Sequence, residues 1–203
     1  MRNFYRTIAR HRSAVMGAVA CAAMAGFARD SFAVVKNWNT GIGNWSNAAH
    51  WSPAGVPAAG DVVNIGAHAA AENAAVSLTA NGSVASVAVT DGMTLRTLTG
   101  SLAVNGSTQI SGQNVDGLTT YPSRLRVENG AAPHDFSTVG LTASQFAQIS
   151  LEDDAGMIVS GLASLGVDTQ LTGNGTVTFT GGGVRALVND GLIAAGLDGL
   201  TLV

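Results

Sequence analysis

The chain has 203 residues, with ten Lys or Arg against thirteen Asp or Glu, four His and a single Cys. That length suits one domain or slightly more. Charged residues are only 11% of the chain and no basic run follows the N-terminus, which excludes a nucleic-acid footprint, while recurrent Val, Leu and Ile exclude a disordered composition.

Residues 1–33 read as a helical signal peptide. Arg2, Arg6, Arg10 and Arg12 form a positive start, Ala14 to Phe27 an apolar stretch, and Ser31-Phe32-Ala33 places small residues at −3 and −1 of a cut before Val34. The apolar stretch is shorter than the roughly 20 residues that a membrane span needs. Cys21 lies inside it, and the preceding Ala18-Val19-Ala20 lacks the leucine of a lipoprotein cleavage site. After the cut the chain carries no cysteine, so disulfides and thiolate metal sites are excluded. The mature part keeps five basic residues, Lys36, Arg96, Arg124, Arg126 and Arg185, against twelve acidic ones, a formal net charge of −7 spread thinly along the sequence.

Residues 34–61 hold all three tryptophans, Trp38, Trp45 and Trp51, followed by Pro53, Pro57 and Gly60-Asp61 as turns into Val62-Val63-Asn64-Ile65. Exposed indoles at these positions would stack on sugar rings. Buried ones would plug the end of a stacked fold, since an indole buries more apolar area than any other side chain.

From residue 62 to 203, apolar residues alternate with small polar ones in short runs such as Val84-Ala-Ser-Val87-Ala-Val89, Leu102-Ala-Val104, Leu125-Arg-Val127, Ile149-Ser-Leu151 and Val177-Thr-Phe179. Period two marks strands with one buried face. Asn81-Gly82, Asn105-Gly106 and Asn129-Gly130 recur every 24 residues, and Asp91-Gly92 and Asp116-Gly117 form a second turn series. A period in that range predicts an all-β parallel β-helix of about five or six coils behind a Trp/Pro-rich cap. The alternative is a β-sandwich with Asn-Gly hairpins. The three Asn of the first series are expected to stack as an amide ladder. The run ends at Val203 with no polar cap in view, which predicts a truncated reading frame, a fragment, or an end covered by a partner.

Candidate chemistry is thin. His50, His68 and His134 are well separated and lack zinc-ligand spacing. His134-Asp135 as an acid-base pair is disfavoured because neighbours on a strand face opposite ways. Glu152-Asp153-Asp154 would ligate calcium through its carboxylates, but a solvated acidic turn explains the run better. With Asp168 or Asp135 it would supply paired carboxylates for glycoside cleavage. No nucleophile elbow or phosphate loop is present, and no cofactor is implied.

The opening Gly43-Asn44-Trp45-Ser46, Trp51, Pro57 and Gly60-Asp61 resembles the N-terminal segment of large secreted β-helical repeat proteins, namely autotransporter passenger-like proteins and bacterial repeat proteins with C-terminal sorting signals. Asn174-Gly-Thr-Val177-Thr-Phe179 and Val188-Asn189-Asp190-Gly191-x-Ile193 are similar to their coil repeats. The resemblance implies a β-helical surface stalk or adhesin and carries no catalytic residues. The chain departs from it in having neither a translocating barrel nor a sorting tail.

These features lead to an expectation of an exported, non-enzymatic β-helical protein at the cell surface or outside the cell, structural or adhesive, with glycans or cell-surface components as partners. Two other readings stand beside it. One is a glycan-binding module using Trp38, Trp45 and Trp51. The other is a carbohydrate-active β-helix, a lyase or hydrolase, with carboxylates converging in a groove.

Overall fold

A computed structural model describes residues 33–66, 74–114, 120–128, 135–180, 187–196 and 199–203. The signal segment up to Phe32, His68, Asp116-Gly117, Asn129-Gly130, His134 and Arg185 fall outside the described residues. Among the described residues the fold is all-β with no α-helix, and no helix is long and apolar enough to cross a membrane.

The strands form a 12-stranded sheet, a seven-stranded sheet and a two-stranded hairpin. They fall into three rows that the chain visits in turn. Row one holds Gly82–Val84, 102–104, 136–138, Gly156–Val159, Thr176–Phe179 and Thr201–Leu202. Row two begins at Val35–Trp38 and continues through Val62–Ile65, Ser86–Val89, 108–111, 141–144, Ala163–Leu165 and Leu187–Asn189. Row three comprises Gly43–Asn44, Ala75–Leu78, Thr94–Thr97, Arg124–Val127, Gln148–Leu151, Gln170–Gly173 and Leu192–Ala195. Within each row the strands pair in parallel. Rows one and two merge into one sheet because Leu102–Ser111 and Phe136–Ser144 run through both.

Parallel pairing in register places like side chains above one another. In row three Val76, Leu95, Leu125, Ile149 and Leu171 stack inward, each 2% exposed or less. In row one Leu102, Phe136, Met157 and Val177 do the same. Each fully buried side chain of this kind stabilises by about 1.5–3 kcal/mol. No single circuit can bury its own apolar face, so the stack is the unit of stability. The alternate residues of each strand face outward, where Ser77, Arg96, Arg126, Ser150 and Thr172 form one continuous row.

The corner from row two to row three uses left-handed backbone again and again: Asp91 (φ 55), Gln145 and Phe146 (φ 48 and 61) and Asp168 (φ 60). Asp can adopt this region because its short polar side chain bonds locally. A hairpin of Gln113–Asn114 and Thr120–Tyr121 is inserted at the same corner of one circuit.

Two expectations need correction. The Asn-Gly series does not mark equivalent positions. Asn81 precedes a row-one strand, whereas Asn105 lies inside Leu102–Ser111. Their amides do not stack on each other: Asn81 accepts from Ser101, and Asn105 donates to Ser83. The amide pair that does form joins Asn64 to Asn37 at 3.0 Å, since these two residues are register partners in row two. In addition, the stack does not begin at residue 62, because Val35–Trp38 already pairs with Val62–Ile65 in row two. The tryptophan segment therefore supplies the first strands of rows two and three.

Candidate functional site

The sequence drew attention first to the indoles. All three are buried: Trp38 is 3%, Trp45 4% and Trp51 1% exposed. Trp51 sits between the other two, edge-on to each, with ring centroids 4.9 Å from Trp38 and 5.0 Å from Trp45. Its Nε1 donates to the Trp45 carbonyl at 2.8 Å. The chain folds this way because Trp51–Ser52 returns antiparallel along Val35–Trp38, pairing Trp38 with Trp51. This strand covers the outer edge of the first row-two strand, and the His50 ring packs edge-on against Trp38. No indole face is open to a sugar, which removes Trp38, Trp45 and Trp51 as a stacking platform.

The acidic run also separates. Asp153 and Asp154 occupy a left-handed, exposed turn, while Glu152 reaches back to Arg126. Among the described residues no three His, Cys, Asp or Glu side chains come together to hold a metal. Asp135 is 2% exposed and accepts from the Gly156 amide at 3.0 Å. That bond ties two row-one strands together, a structural task. Asp168 stands at the row-two to row-three corner, whereas Asp135 precedes a row-one strand.

The charged residues that do converge are ones the sequence left dispersed. Arg96, Arg124 and Arg126 share the outer face of row three, and line a groove of about 520 Å³ with Gln148, Ser150, Glu152, Gln170 and Thr172. The reason is register. Arg126 lies directly beside Arg96 and Arg124 beside Thr94, each across 30 residues of sequence. Period two then directs Arg124 and Arg126 outward while Leu125 and Val127 face the core.

Two like charges side by side on paired strands repel. Glu128 offsets this: its Oε1 lies 2.7 Å from Arg96 Nε and 3.0 Å from Arg126 Nε. The first contact is a hydrogen bond; the second is an ion-pair contact that leaves Arg126 Nε without an aligned acceptor. A terminal nitrogen of Arg126 donates to Glu152. That hydrogen bond holds the Arg126 guanidinium above its ordinary pKa, with the charges of Glu152, Glu128 and Asp153 adding to it and partial burial opposing. Arg124 differs from its neighbours. Its Nε donates to Gln148 Oε1 at 2.8 Å, and it has no carboxylate partner among the described residues.

Glu128→Gln is expected to lower stability by about 1 kcal/mol at low salt, because it leaves Arg96 and Arg126 adjacent and unbalanced. The loss should shrink in 1 M salt, where the screening length falls to about 3 Å. Urea unfolding at both salt concentrations measures it, and equal stability of the two proteins at low salt would show that the bridge contributes nothing.

Chemically, the groove offers planar, fixed donors suited to carboxylate or sulfate groups, with amide and hydroxyl side chains for sugar hydroxyls. Its one lining carboxylate, Glu152, is committed to Arg126, and Glu128 beside it to Arg96. The sequence did carry one signal for the groove: Arg124 and Arg126 alternate with buried Leu125 and Val127 on one strand. The partner Arg96 was hidden until register was known. Compared with protein-family models, with curated proteins and with solved structures, the chain matches none of them.

Proposed function

We propose that the chain is an exported, non-enzymatic parallel β-helix with a structural or adhesive role outside the cell, and that its contact surface is the arginine-lined groove, which takes a carboxylate-bearing polysaccharide. One observation carries the reading. In a segment of net negative formal charge, three of the basic residues gather on a single outward face. The cyclic visiting of three parallel rows supports the β-helix, and the buried indole cluster at the first circuit supports a cap. Paired strands lie about 4.8 Å apart, close to the length of one sugar along an extended glycan. A linear chain laid along the row therefore meets the outward side chains of one strand at each unit.

The groove favours binding over catalysis. A lyase or hydrolase needs a carboxylate aimed at the bond to be broken, whereas Glu128 and Glu152 are engaged by Arg96 and Arg126. Among the described residues Arg124 is the guanidinium without a carboxylate partner, which leaves it available to a ligand. Calorimetric titration of the exported protein with polygalacturonate should show binding that weakens as salt rises. Arg124→Gln should weaken it on the order of tenfold, the equivalent of one charge-assisted contact. Equal binding of an uncharged dextran, or no effect of Arg124→Gln, would sink the acidic-glycan reading. Release of unsaturated or reducing ends during the titration would replace it with the enzyme.

A further inference from the structure

Asp61 sits just before Val62–Ile65 and is 8% exposed. Its Oδ1 accepts from the Val34 backbone nitrogen at 3.1 Å, and its Oδ2 accepts from the Ala58 nitrogen at 2.9 Å. No cationic side chain pairs with it among the described residues. A carboxylate this buried, held only by neutral amides, lacks a counter-charge, and burying an unpaired charge is costly. The basic residue nearest in sequence to Val34 does not provide one: Lys36 directs Nζ to the carbonyls of Pro53 and Ala54, at 3.0 and 3.1 Å.

The nitrogen that Asp61 holds is the one that the cleavage motif would release. Ser31 and Ala33 place small residues at −3 and −1 of a cut between Ala33 and Val34. We propose that this cut completes the fold. A signal-processing protease adds water across the Ala33–Val34 peptide bond. Ala33 leaves as a carboxylate, and the Val34 nitrogen becomes an α-ammonium already in contact with Asp61. One neutral donor becomes a charged group with three donors, and the buried carboxylate gains its partner without any movement of the chain. Charge-assisted bonds are about twice as strong as neutral ones. Val34 is also positioned by the stack, since its carbonyl accepts from the Val62 nitrogen at 3.0 Å. Processing would thus lock the first row-two strand onto the second, and the unprocessed chain would carry a looser first circuit.

This inference rests on the exported reading, and the experiment separates the two. The exported protein is purified and its N-terminus sequenced, and Val34 is the expected first residue. Its thermal unfolding is then compared before and after selective acetylation of the α-amine near neutral pH, with the modified site confirmed by mass spectrometry. The free amine is expected to melt roughly 2–4 °C higher, the shift that about 1 kcal/mol gives in a domain of this size. The same comparison in Asp61→Asn should show no gap. Equal melting of free and acetylated wild-type protein overturns the proposal, whether or not Asp61→Asn folds. Export with a start other than Val34 also overturns it while leaving the exported reading intact. An intact chain retained inside the cell refutes both.

Discussion

Trp51→Ala is expected to destabilise the protein by about 3–5 kcal/mol, the range for removing a fully buried large aromatic side chain. Trp51 is 1% exposed and is the middle ring of the three. Its loss opens a cavity beside Trp38 and Trp45, forfeits two edge-on ring contacts, and frees the Trp45 carbonyl from its 2.8 Å partner. Edge-on pairs contribute about 0.5–1.5 kcal/mol beyond area. In a domain of this length the change lowers the melting temperature by roughly 10 °C. Trp51→Phe keeps part of the volume and should recover part of the loss. Trp45→Ala in the Trp51→Ala background should cost less than it does alone, because the two rings share a contact. Thermal unfolding of the wild type and these four variants checks all of this. A drop of only a degree or two for Trp51→Ala would mean that the first circuit is held by its backbone pairing and not by the indoles.

Gly173→Ala is expected to cost at least about 3 kcal/mol, from backbone strain and steric overlap together. Gly173 has φ +128, a region that L side chains rarely enter. A methyl there would also be driven into the Leu151 carbonyl oxygen and lie 2.8 Å from the Leu151 nitrogen. Gly173 pairs in register with Leu151 and Ala195, so two strand junctions in row three would have to shift. Gly199 provides the control. It has φ +89, but a Cβ there meets nothing within 4 Å, so Gly199→Ala isolates conformational strain at roughly 1 kcal/mol. Chemical denaturation of both variants makes the comparison. Equal losses would show that the close approach at Leu151 relaxes at no cost.

The parts of this fold that were readable in sequence are those set by local chemistry. Alternation in Leu125-Arg-Val127 and Ile149-Ser-Leu151 assigns strand and buried face together, because period two does both at once. The approximate repeat length was also readable, since each circuit must supply the same three short strands. Phase was not. Val76-Ser-Leu78 and Leu102-Ala-Val104 look alike as text, yet one belongs to row three and the other to row one. The 24-residue spacing of the Asn-Gly pairs compared positions on different sides of the stack. The turns that do repeat, at Asp91, Gln145-Phe146 and Asp168, share a backbone conformation and not a sequence, so no residue pattern advertises them. The groove was concealed for a related reason. Arg96 and Arg126 are neighbours only through parallel register, and between them the chain takes a full circuit with an extra hairpin.

That hairpin bears on how such a chain is lengthened. Gln113–Asn114 and Thr120–Tyr121 lie between Leu102–Ser111 and Arg124–Val127. Even so, Leu125 still stacks on Leu95 before it and on Ile149 after it. Additional sequence at this corner is carried outside the ladder, so circuit length and register vary independently. The fold thus has a built-in port for grafted segments. A foreign loop or epitope placed at the corresponding Asp168 corner would be displayed beside row three, at a fixed distance along the stack from Arg124.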